Sequence, residues 1–182
     1  MSTKVCDVPE QLPAPSPAAW IQRYAGLIAK GGAVLDLAAG SGRHSRFLTA
    51  RGHPVVALDR DVSRLPEATA GFEVIAADLE DGSPWPLAGR HFAAIVVTNY
   101  LHRAILPNLA TALAPGGILL YETFQQGNER FGKPSNPAVL LAPGELLDFA
   151  AASGLTVLGY FSGTVRHPRA AVIQALAARA PR

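Results

Sequence analysis

Short, unbroken apolar runs alternate with helix-like segments through the first two thirds of the sequence, and two further runs at the end are joined by only seven residues. Three of the early runs close on an aspartate. Continuous apolar runs indicate strands buried on both faces, and their alternation with helices indicates parallel pairing through crossovers. The final short connection cannot make a parallel crossover, so the last pair is an antiparallel hairpin. The predicted class is therefore α/β: a three-layer sandwich around a mostly parallel seven-stranded sheet with a C-terminal antiparallel hairpin.

Residues 1–16 contain Pro9, Pro13 and Pro15 without an apolar period, so they read as a flexible N-terminal arm preceding one domain, 17–182. Ser16 and Pro17 then suit a helix start, with Trp20, Tyr24, Leu27 and Ile28 at helical spacing. The run from Ala33 to Ala39 predicts the first strand, and Gly40-Ser41-Gly42 turns it into a helix from Arg43 to Ala50, stopped near Gly52. Val55 to Leu58 forms the second strand, ending at Asp59, with a short helix expected over Val62 to Ala70. Glu73 to Ala77 is the third strand, ending at Asp78, and Phe92 to Val97 the fourth. A helix from about Arg103 to Leu113 leads through Pro115-Gly116-Gly117 into the fifth strand, Ile118 to Glu122. A helix over Pro143 to Ala152 precedes the hairpin strands Thr156 to Ser162 and Ala170 to Ala177.

Composition narrows the function. The 182 residues are 49% hydrophobic and 16% charged, which argues against disorder and supplies one buried core. No apolar run approaches the ~18 residues of a membrane span. The start, with Lys4, Asp7 and Glu10, lacks a secretory signal. The single cysteine, Cys6, permits no internal disulfide and fits a cytoplasmic protein. A net charge of +2 is spread along the chain, so nucleic-acid binding is not expected. The histidines at 44, 53, 91, 102 and 167 lack ligand spacing, so no metal site is expected. Nothing in the sequence sets the oligomeric state.

In an open parallel sheet, ligands bind beyond the carboxyl ends of the strands. Those ends here carry Asp36 to Gly42, Asp59, Asp78, Thr98 to Arg103 and Tyr121 to Phe124. A single acidic residue after a strand is commonly a cap, but three at three successive strand ends are harder to assign to capping. Gly40-Ser41-Gly42-Arg43-His44-Ser45 nearly spells a dinucleotide fingerprint, and Asp59 follows Gly40 by 19 residues, placed to accept ribose hydroxyls. A Rossmann-like NAD(P)-dependent oxidoreductase is thus a rival reading. Asp36 before the glycines would repel a pyrophosphate and favour a cationic ligand, and no tyrosine is followed four residues later by lysine.

The segment Asp36-Leu37-Ala38-Ala39-Gly40-Ser41-Gly42 resembles the D-x-G-x-G-x-G motif of class I S-adenosylmethionine-dependent methyltransferases, and the likeness runs from about Ala33 to Ala178. Asp59 and Ala76-Ala77-Asp78-Leu79 match its second and third elements. The resemblance implies a Rossmann-like fold and S-adenosylmethionine as cofactor, leaving S-adenosylhomocysteine as product. It implies the methionine moiety over Ala38, Gly40 and Gly42, ribose on Asp59, and adenine against Asp78 and Leu79. Asp36, Arg60 and Asn99 complete the implied cofactor set. The chain departs from the pattern at Ala38, where the family has its first glycine, and at Ala93, where it commonly has aspartate. A looser similarity points to small bacterial tellurite-resistance and thiopurine methyltransferases.

Thr98-Asn99-Tyr100-Leu101-His102-Arg103 lacks the Asn-Pro-Pro-aromatic motif of nucleic-acid and protein amine methyltransferases, so a small-molecule acceptor is expected. Its pocket would draw on the Trp20 helix, the 99–103 segment and the 125–142 loop, read as a lid with Phe124 and Phe131 as anchors. His102 is the candidate general base and Tyr100 a candidate lining the methyl channel. Arg103, Glu122 and Arg130 are candidates for orienting the acceptor. A non-catalytic S-adenosylmethionine-binding module is the remaining alternative.

Overall fold

The computed structural model describes residues 16–182; residues 1–15 of the proposed arm, Cys6 among them, lie outside the described residues. The strands are β1 (Val34–Leu37), β2 (Val55–Asp59), β3 (Phe72–Ala76), β4 (Phe92–Thr98), β5 (Leu113–Phe124), β6 (Thr156–Val165) and β7 (Ala171–Arg179). They form one sheet in the order β3-β2-β1-β4-β5-β7-β6. The first five pair in parallel, and β7 runs antiparallel between β5 and β6. The direction of winding reverses between β1 and β4, which opens a cleft beyond their carboxyl ends.

Helices cover both faces: α1 (Ala19–Tyr24), α2 (Arg43–Thr49), α3 (Leu106–Thr111) and α4 (Glu145–Ala152). Alternate strand residues Val34, Ala94, Val96, Ile118 and Leu120 meet Ile21 of α1 and Leu48 of α2. The intervening residues Leu35, Leu37, Ile95, Val97, Leu119 and Tyr121 meet Leu109 of α3 and Leu146 and Ala150 of α4. Every residue of β1 is buried, because both of its faces are covered.

Several local expectations change. No helix forms over residues 62–70. The Asp59 and Asp61 side chains accept the backbone N–H groups of Asp61 and Ser63 at 2.9 and 3.0 Å, which stabilises turns in competition with helix. Pro66 then removes another donor. The helix expected from Arg103 is a 3₁₀ turn, Arg103–Ile105, followed by α3, and Leu113 already belongs to β5. Ser16 does not cap α1, whose N-cap is Ala18.

The 125–142 segment is pinned along β7. Asn128 Oδ1 accepts the Val172 N–H at 3.1 Å, and its amide donates to the Pro134 carbonyl at 2.9 Å. Phe124 is buried with Leu140 and Ala171, whereas Phe131 is 43% exposed and anchors nothing there.

Candidate functional site

A cavity of about 430 Å³ opens at the carboxyl ends of β1, β2 and β4 and beside the segment following β3. Its floor is the loop from Ala38 to Ser41. Ala38, Gly40 and Gly42 all have left-handed backbones, with φ of 54°, 59° and 71°. The left-handed backbone favours glycine at Gly42, and an added Cβ there would also press on the Leu65 Cδ2 methyl at 2.9 Å and on the Pro66 ring at 3.3 Å. Ala38 holds the same left-handed conformation at a cost of roughly 1 kcal/mol, which explains why glycine is the usual residue in the motif it resembles.

Asp59 ties this loop to the next strand. Its Oδ2 accepts the Gly40 N–H at 2.7 Å and its Oδ1 the Asp61 N–H at 2.9 Å. An ionised carboxylate offers about four lone-pair sites, so roughly two remain for further donors. Asp78 is similarly oriented, with Oδ1 accepting the Glu80 N–H at 2.9 Å. The aspartates at the ends of β2 and β3 therefore have fixed orientations facing one cavity.

Two buried titratable groups brace the wall. Asp36, in β1, is 1% exposed and accepts the Ser45 hydroxyl at 2.5 Å. Burial raises its pKa to about 7, opposed by the Ser45 hydrogen bonds and by Arg43. His44, in the first turn of α2, is 1% exposed and lines the cavity. Its Nε2 accepts the Ala18 N–H at 3.2 Å, which leaves the proton on Nδ1, 3.4 Å from Thr98 Oγ1. Burial, with a smaller contribution from Arg43, lowers its pKa to about 3, so it is a neutral ring. One imidazole thus joins the start of α1, the start of α2 and the end of β4.

Of the residues singled out in the sequence, Ala38, Gly40, Asp59, Arg60, Asp78, Leu79, Asn99 and Tyr100 line the cavity. Asp36 and Gly42 are buried outside its lining. Tyr100 is half-buried, and burial together with the neighbouring Glu80 carboxylate pushes its phenol upward, keeping it protonated. His102 lines an adjoining cavity of about 680 Å³ with Asp78, Trp85 and Asn108. Arg103 is engaged elsewhere: its guanidinium pairs with Glu145 at 2.6 Å and donates to the carbonyls of Ala138 and Leu140. Arg130 is exposed and lies over the Phe131 ring. Glu122 stands at the end of β5, in register with Thr98.

The strand ends that the sequence marks include Ser41 and Thr98 without a role for either, whereas Arg43 and Glu80 also line the cavity and His44, expected only to flank the cofactor, is part of its wall. Arg43 is recoverable from its place directly after the glycine loop. Thr98 is the polar end of an otherwise apolar strand.

A methyltransferase-domain family profile matches residues 10–139, more than half of the sequence. The chain belongs to the methyltransferase-domain family. This methyltransferase domain shares its fold with TehB from Haemophilus influenzae, at 19% identity and a TM-score of 0.71, over 88% of this chain and 61% of that one. It thus spans about three fifths of the TehB chain. It also resembles the 1,6-didemethyltoxoflavin-N1-methyltransferase of Burkholderia thailandensis, solved with 1,6-didemethyltoxoflavin and S-adenosylhomocysteine (17% identity, TM-score 0.61, covering 90% and 79%). The N-methyltransferase NodS of Bradyrhizobium japonicum is similar too (17% identity, TM-score 0.65, covering 88% and 96%). No curated protein sequence matches. The seven-stranded architecture of this methyltransferase domain, with its C-terminal antiparallel pair, is the class I arrangement that its motifs resemble.

Proposed function

We propose that this methyltransferase domain transfers a methyl group from S-adenosylmethionine to a small-molecule acceptor. The observation that carries the reading is the Asp59–Gly40 junction within a 430 Å³ cavity faced by Asp59, Asp78 and Glu80. Cavities of roughly 300–1,000 Å³ accommodate ligands of this size. The residues fit the cofactor chemically. Asp59 has lone pairs left for ribose hydroxyls, and three carboxylates suit a cationic sulfonium better than a pyrophosphate. Asp78 and Leu79 would hold the adenine edge, while the backbone of Ala38 and Gly40 would hold the methionine moiety. Arg60 and Asn99 complete the proposed cofactor shell.

S-adenosylmethionine supplies an activated methyl group for in-line displacement by a nucleophile. The protein's part is alignment and exclusion of water. Tyr100, kept protonated, serves as a hydrogen-bond donor and as a wall of the methyl channel. His44 holds the start of α1 against the cavity. His102, in the adjoining cavity, is not used as the base in this reading.

The neighbour from Burkholderia thailandensis is a 1,6-didemethyltoxoflavin-N1-methyltransferase solved with 1,6-didemethyltoxoflavin bound, which supports a small-molecule acceptor. A thermal-shift screen with S-adenosylmethionine, S-adenosylhomocysteine, NAD and NADP tests the cofactor, because a ligand bound only by the folded state raises Tm. The first two should raise Tm and the dinucleotides should not. Asp59→Ala should abolish most of that shift, and an undiminished shift would remove the site assignment.

A further inference from the structure

The cavity of about 680 Å³ beside the cofactor cavity has no part in the reading above. It lies beyond the carboxyl end of β3, an edge strand of the sheet, and reaches across to the 3₁₀ turn at Arg103–Ile105 and to α3. Residues Ala77 to Glu80 line both cavities and so form the wall between them. In the methyltransferase reading that wall holds the adenine, so a ligand on its far side sits away from the methyl group.

Three partly buried polar side chains, Trp85, His102 and Asn108, line this space, and none of them makes a side-chain hydrogen bond among the described residues. Every other histidine or carboxamide there that is not exposed is bonded to the protein: His44, His53, Gln125, Asn128 and Gln174. Polar groups that have given up part of their hydration call for partners, and here those partners are left to an occupant of the cavity. Trp85 is also stiffly mounted. Pro84 and Pro86 flank it and restrict the backbone on both sides, and its side chain packs against the core on the α3 face of the sheet. The charge is one-sided: Asp78, Glu80 and Asp81 line the cavity, no lysine or arginine does, and neither ion pair among the described residues engages these carboxylates.

We propose that this cavity is a second ligand site, separate from those of the cofactor and the methyl acceptor, and that it takes a flat, positively charged nitrogen heterocycle. The Trp85 indole supplies a fixed aromatic face, and an aromatic face attracts a cation. The Asn108 carboxamide both accepts and donates, so its oxygen can take an N–H of the ligand while its amide meets a ring nitrogen. His102 offers one further donor or acceptor at the opposite end of the 3₁₀ turn. The carboxylates draw in positive charge and repel an anion. A few polar groups with open hydrogen-bonding capacity around an aromatic surface are what orients a small ligand in a pocket of this size.

Fluorescence titration at neutral pH tests this with three flat acridines: proflavine, a cation; acridine, neutral; and acridine-9-carboxylate, an anion. Each is titrated into the full chain, alone and saturated with S-adenosylhomocysteine. Proflavine should bind most tightly and the carboxylate least, and saturation with S-adenosylhomocysteine should leave proflavine bound. Trp85→Leu and Asn108→Ala should each weaken proflavine about fivefold to tenfold, as expected for one cation–π contact or one hydrogen bond, with S-adenosylhomocysteine affinity changed less than about twofold. No binding of proflavine, equal binding of the three acridines, displacement of proflavine by S-adenosylhomocysteine, or undiminished binding by Trp85→Leu overturns the proposal. Should Trp85→Leu fail to fold, Asn108→Ala decides, and unchanged proflavine binding by it overturns the site. Failure of S-adenosylhomocysteine to bind wild type defeats the cofactor reading on its own, and the two variants then judge the second site with proflavine alone.

Discussion

Asp36 and His44 titrate in opposite senses within one wall, and replacing each should tilt the dependence of stability on pH in opposite directions. Burial raises Asp36 from 3.8 to about 7. Between those values the folded protein holds a proton that the unfolded chain has released, so the Asp36 contribution to stability falls as pH rises. Burial lowers His44 from 6.5 to about 3. Between those values the unfolded chain holds the extra proton, so the His44 contribution rises with pH. Each slope approaches about 1.4 kcal/mol per pH unit. The two oppose each other, and from about pH 4.5 to about pH 6 each amounts to roughly 2 kcal/mol.

Asp36→Asn keeps an oxygen for the Ser45 hydroxyl, and His44→Gln keeps an acceptor for the Ala18 N–H. Urea unfolding at constant ionic strength across that range reads both. Relative to wild type, Asp36→Asn should gain roughly 2 kcal/mol as pH rises, while His44→Gln should lose a similar amount. The double variant should run parallel to wild type. A single variant whose stability runs parallel to wild type would refute the burial argument for that residue.

Three further substitutions probe local geometry. Ala38→Gly should raise stability by about 0.5–1 kcal/mol in denaturant unfolding, because glycine adopts the 54° φ without strain. Gly159→Ala should cost about 1–3 kcal/mol, since the added Cβ would sit within the Tyr24 hydroxyl; pairing it with Tyr24→Ala should recover most of the loss. Arg103→Ala breaks a partly exposed ion pair and two bonds to carbonyl oxygens. It should cost about 1 kcal/mol, seen as faster amide exchange within residues 137–145.

The sheet was legible because its central strands are covered on both faces, which forces unbroken apolar runs such as Phe92 to Val97. The hairpin was legible from the length of its connection. The absent helix at 62–70 was not, because Val62 and Leu65 carry helical spacing while the competing turns depend on where Asp59 and Asp61 aim their side chains. Asp59 could be found from its distance to Gly40, since motif spacing encodes that contact directly. His44 could not be placed so well, because its partner Ala18 lies 26 residues away on another helix.

The same physics separates the residues after β4. Within a strand the two-residue period fixes which face a side chain takes, so Thr98 follows Val96 and Ala94. Asn99 ends that regularity with a φ of 54°. Beyond it, Tyr100 lines one cavity and His102 another, and Arg103 is taken by Glu145, 42 residues distant. Side-chain direction is inherited up to the last strand residue and must be built by tertiary contacts after it. Glu122, still inside β5, inherits its direction, and it faces the same side of the sheet as Thr98, with which it pairs.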